Sequence, residues 1–141
     1  MSPTLITAPD EALSHLFFHC CFRDGTITEN EIKTVSEKLV AVGLNKQLNF
    51  KDEVVRYRAY RNEIINEDAY IESLVQAIKP VNSLALYSTC IELCLSDGLL
   101  QQEEESLLQI LAASLHLTDQ EKAISKKIMV QRKLVETGKV Y

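Results

Sequence analysis

With 141 residues, 46% of them hydrophobic and 25% charged, the chain has the composition of one globular domain, and long disorder is excluded. Only 4 glycines and 3 prolines leave too few turn formers for an all-β fold, so the expected class is all-α: a single-domain bundle of about seven helices. A net charge of −5, from 20 acidic and 15 basic residues, gives no electrostatic reason to expect nucleic acid or an anionic membrane surface as a partner.

The opening MSPTLITAPDEA has neither a basic n-region nor an apolar h-region, so no signal peptide and no membrane insertion are expected, and the cytoplasm is the expected location. There Cys20, Cys21, Cys90 and Cys94 read as reduced thiols rather than a disulfide framework. Residues 1–9 form an N-terminal extension, and the first helix is expected over 10–22, with Leu13, Leu16, Phe17, Cys20 and Cys21 as its buried stripe. A second helix over 28–44 opens with the capping box Thr28 to Glu31, turns Ile32, Val35, Leu39 and Val42 inward, and stops at VGLN. A third over 50–64 buries Phe50, Val54, Tyr57 and Ile64, and a fourth over 67–79 starts behind Asn66. Pro80 is expected to begin the fifth, 81–95, which buries Leu86, Cys90, Leu93 and Cys94. The sixth, 101–116, carries Leu108, Leu111 and Leu115 and ends in LHLT; the seventh, 119–136, opens with Thr118 to Glu121, and residues 137–141 form a tail.

An internal repeat runs through this series. A shift of 73 positions, the separation of Asp24 from Asp97, aligns residues 13–45 with 86–118 without a gap. Each copy is a helix, a loop reading Asp-Gly-x-(Ile/Leu)-x-x-x-Glu, and a second helix. The spacing matches the back half of a calcium-binding EF-hand loop, but the front half is missing. With Gly25 in sixth place the first and third places fall on Cys20 and Phe22, and in the other copy on Leu93 and Leu95. Calcium takes about six to eight oxygens, so one such loop is not a complete site.

Two readings of the loops follow. Packed about an approximate two-fold axis, the copies would bring Asp24, Glu31, Asp97 and Glu104 around one hard divalent cation such as calcium, magnesium or manganese. Otherwise the aspartates make Asx turns and the glutamates serve helix N-termini, where the macrodipole favours them. Gln101 stands where Thr28 stood, and glutamine is a poor cap, so Glu104 has the weaker structural excuse.

The doubled motif resembles the TerB-like (tellurite-resistance protein) family. The residues that carry the resemblance are Asp24, Gly25, Ile27 and Glu31, then Asp97, Gly98, Leu100 and Glu104, with VGLN and LHLT as the endings, over roughly residues 12–121. It implies an all-α domain with internal pseudo-symmetry, over residues 10–136, in the cytoplasm or on the inner face of the membrane. It also implies clustered acidic residues suspected of binding a metal. Relatives usually carry a small residue before each Asp-Gly; here Arg23 and Ser96 stand there, and Arg23 could neutralise a neighbouring carboxylate. His116 replaces the glycine of the second ending.

Other constellations are weaker. His15 and His19 have the four-residue spacing of two metal ligands. On a helix, however, they point away from the Cys20–Cys21 stripe, so exposed histidines and buried thiols are expected. RYRAYR, 56–61, interleaves arginine and tyrosine but spreads its charges around the helix, and KKIMVQRK, 126–133, reads as the polar face of an amphipathic helix. No nucleophile–base pair, phosphate loop or organic-cofactor motif occurs. The expected function is a non-catalytic divalent-cation module, in tellurite or another stress response; the alternative is a protein-interaction module whose acidic residues are caps.

Overall fold

In a computed structural model the described residues are 6–22, 27–43, 48–95, 100–139 and 141, and among them there are helices and no strand. The chain divides into two compact units, 1–79 and 80–141.

The first unit is built on α1 (Pro9–Cys21), against which α2 (Glu29–Ala41), α3 (Phe50–Tyr60) and α4 (Glu67–Ile78) all pack. Pro9 occupies the first turn, where its missing N–H is harmless, and Asp10 and Glu11 complement the positive end of the helix. Because three helices surround α1, it is buried on more than one face. Leu16, Phe17, Phe18, Cys20 and Cys21 are at most 4% exposed, and His15 is 0% exposed. A one-sided stripe predicted exposed histidines; the hub position of α1 overturns that expectation. Tyr57 and Tyr60 of α3, Ile71 and Leu74 of α4, and Val35 and Leu39 of α2 complete this core.

The long third helix expected over 50–64 ends at Tyr60 and tightens into a 3₁₀ turn, Arg61–Glu63, a common way to satisfy the last carbonyls. Asn49 and Asn66 cap α3 and α4, their Oδ1 atoms accepting the N–H of Asp52 and Ala69 at 3.2 and 3.0 Å.

The second unit comprises α5 (Ser83–Cys94), α6 (Gln102–Ser114) and α7 (Asp119–Gly138), with α5 packed on both others. Pro80 does not start α5. Asn82 does, accepting the Ala85 N–H at 2.9 Å, while Pro80 follows the left-handed residue Lys79 that closes α4. Leu86, Cys90, Ile91, Leu93 and Cys94 of α5, Leu107, Leu108 and Leu111 of α6 and Met129 of α7 are buried in this unit's core. All four cysteines are buried and none is in a disulfide.

Helices α2 and α6 begin at residues 29 and 102 and end at 41 and 114. Both are followed by a left-handed residue at matching positions, Gly43 with φ 76° and His116 with φ 57°. After α6 this closes the helix, the His116 N–H donating to Ala113 and the Leu117 N–H to Ala112, each at 3.1 Å. His116 therefore does, with strain, what the glycine does freely.

Candidate functional site

Asp24 and Gly25, and Asp97 and Gly98, lie outside the described residues; Glu31 and Glu104 lie within them. Glu31 is in the first turn of α2 in a complete capping box. Its Oε1 accepts the Thr28 N–H at 2.9 Å, and its own N–H donates to Thr28 Oγ1 at 3.1 Å. Glu121 makes the same pair with Thr118 at 2.9 and 3.1 Å. Glu104 also returns a bond, accepting the Gln101 N–H on Oε1 at 2.5 Å. It differs in burial: Glu104 is 1% exposed, whereas the other two capping glutamates are half-buried. Among the described residues no group of three or more His, Cys, Asp or Glu is disposed to hold a metal.

The residues on either side of the first acidic loop are held by arginines of the RYRAYR segment. Arg61 donates to the Phe22 carbonyl at 3.1 Å with its guanidinium 4.6 Å from the Phe22 ring centre, and Arg58 donates to the Ile27 carbonyl at 3.3 Å. Arg56 lies 3.5 Å from Glu11 and 3.6 Å from Glu53. Each arginine is thus engaged within its own unit, Arg61 with a carbonyl and a ring.

The sequence reading missed a buried polar network between α1, α3 and α4. His15 lies with Nδ1 2.6 Å from Tyr60 Oη and Nε2 2.7 Å from Glu53 Oε1. One turn on, His19 repeats the pattern, with Nδ1 2.7 Å from Tyr57 Oη and Nε2 2.6 Å from Glu67 Oε2. Tyr60 Oη is 2.6 Å from Tyr70 Oη. The rings are close-packed as well: His15 stacks on Tyr60 at 5.6 Å, and His19 meets Tyr70 edge-on at 5.1 Å.

Burial is the largest influence on the imidazole of His15 and lowers its pKa below 6.5, although the hydrogen bond and charge of Glu53 pull the other way. Burial pushes the Tyr60 hydroxyl up to about 12, and those of Tyr57 and Tyr70 upward as well. The hydrogen bond from His19 holds Glu67 below the usual carboxylate value. The available signal was the spacing Glu53, Tyr57, Tyr60 on one face of α3, facing two histidines one turn apart.

In the second unit a groove of about 540 Å³ runs over Tyr87, Leu108 and Val130, with Lys122, Lys126 and Lys127 along α7. Lys122 pairs with Asp119 at 3.0 Å and Lys126 with Glu105 at 2.8 Å, so little net positive charge remains there. Among the described residues no helix is long and apolar enough to cross a membrane.

Among the described residues these helices define an all-α fold. The family model of tellurite resistance protein TerB matches residues 10–126. The chain belongs to the TerB family. Comparison with curated proteins and with solved structures gives no match.

Proposed function

We propose that this TerB-family chain is a non-catalytic module that binds one divalent cation, calcium, magnesium or manganese, between its two acidic loops, with Asp24, Glu31, Asp97 and Glu104 supplying the oxygens. The burial of Glu104 carries the reading. Among the described residues three glutamates close a capping turn; Glu31 and Glu121 are half-buried there, whereas Glu104 is 1% exposed. A buried position lowers the local dielectric and so strengthens the attraction of a carboxylate for a hard cation. All four proposed donors are carboxylates, the donor set that hard cations prefer. The ion would neutralise the clustered charges and tie the two loops together, making the domain a cytoplasmic cation-responsive component of a stress response.

A second reading is a protein-interaction module without metal. The complete Thr28–Glu31 box favours it, since it already accounts for Glu31. Calorimetry separates the two. Chelator-stripped protein is titrated with calcium, magnesium and manganese. Cation binding predicts heat of binding and a raised melting temperature, both abolished by Asp97→Asn with Glu104→Gln. No heat and no shift near millimolar ion leaves the interaction module.

A further inference from the structure

Two histidines caged alike, each between a tyrosine hydroxyl and a glutamate, ask for a role that capping and cation binding do not supply. A carboxylate only accepts, so the nitrogen of His15 facing Glu53 carries the hydrogen, and in the neutral ring the other nitrogen must accept. Tyr60 therefore donates to Nδ1, and Tyr60 in turn accepts from Tyr70. The four groups form one polarised chain running from Tyr70 through Tyr60 and His15 to Glu53, and it links α4, α3 and α1. A proton added at Nδ1 would reverse it: His15 would donate to Tyr60, Tyr60 would donate to Tyr70, and the hydroxyl hydrogen of Tyr70, a residue 7% exposed, would have no acceptor among the described residues.

We propose that Tyr70, Tyr60, His15 and Glu53 form an acid-sensitive latch, in which the neutral imidazole fastens α1 to α3 and α4 and its protonation loosens the first unit. The groups that bear on the ring are Glu53, Arg56, Tyr57 and Tyr60 from α3, Tyr70 from α4 by way of Tyr60, and Glu11 from α1 itself. No charge from α2 acts on it among the described residues. Glu53 and Glu11 favour the imidazolium; Arg56 and burial oppose it, and burial prevails. The folded value is depressed below the unfolded 6.5. The latch is therefore fully fastened above that pH, and its contribution is lost as pH falls through the folded value. His19 sits in the same arrangement one turn away, so loosening at His15 acts on a helix with a second clamp beside it.

The test uses the full chain. Long-range nitrogen–proton correlation spectra at pH 7.5 should show His15 with hydrogen on Nε2 and none on Nδ1. Amide exchange at pH 7.5 and 5.0, corrected for intrinsic rates, should show protection in α1, α3 and α4 falling by at least roughly fivefold, the lower end of what a stranded buried hydroxyl costs, while α5, α6 and α7 keep theirs. His15→Gln offers an acceptor and a donor without taking up a proton, and should remove the pH dependence. Hydrogen on Nδ1 at pH 7.5, protection independent of pH, or an unchanged pH dependence in His15→Gln would overturn the latch. So would an equal fall in α5, α6 and α7. If His15→Gln does not fold, the wild-type spectra and exchange still decide.

Discussion

Tyr57 offers the sharpest separation between ring packing and hydrogen bonding in the first unit. The side chain is 1% exposed, its ring lies within 5.4 to 6.1 Å of Phe22, Tyr60, His15, Phe18 and His19, and its hydroxyl is 2.7 Å from His19 Nδ1. Tyr57→Phe removes only the hydroxyl and leaves His19 Nδ1 facing an apolar edge. The His19 side chain is 11% exposed, so water compensates little, and the expected loss is about 1–2 kcal/mol. Tyr57→Ala also deletes the ring and should cost about 3–5 kcal/mol in all. Amide exchange under native conditions reads the opening free energy of α1, α3 and α4 directly, without assuming that the two units unfold together. A phenylalanine variant within about 0.5 kcal/mol of wild type would refute the idea that the His19 clamp secures α1, since that is the scatter of neutral substitutions.

His116→Gly should stabilise the second unit by about 0.5–1 kcal/mol by relieving a left-handed histidine, read as slower exchange in α6 and α7. Glu67 is held below the usual 4.5 by the His19 hydrogen bond, so its contribution is present above that pH and lost as pH falls through the lowered value. Glu67→Gln should flatten the acid limb of first-unit stability below about pH 4.5. The effect should be small, because the Glu67 side chain is 41% exposed.

The helices could be read from the sequence because their signals are local. Asn66, Thr118 and the Thr28–Glu31 pair announce their own N-termini, and the apolar spacing of Val35 and Leu39, or of Leu108 and Leu111, needs no knowledge of partners. Tertiary placement escaped the same reasoning. The periodicity of α1 suggested one buried stripe, but a helix packed on three sides buries its polar face too, and His15 became a core residue once Glu53 and Tyr60 could meet it. Pro80 misled for a related reason: proline follows a helix end as readily as it precedes a start, and the asparagine two residues later makes the actual cap. Of the acidic site, the capping geometry of Glu31 was foreseen and the bond from Gln101 to Glu104 was not. A poor capping side chain at Gln101 does not prevent its backbone N–H from donating.

The central claim is that one ion draws on both acidic loops, and paramagnetic broadening tests it most directly. With substoichiometric manganese added to isotopically labelled protein, the claim predicts that amide signals at residues 28–31 and 101–104 broaden together, at the same ion concentration, and recover together when a chelator is added. Broadening at only one of these segments, or at neither, would contradict it.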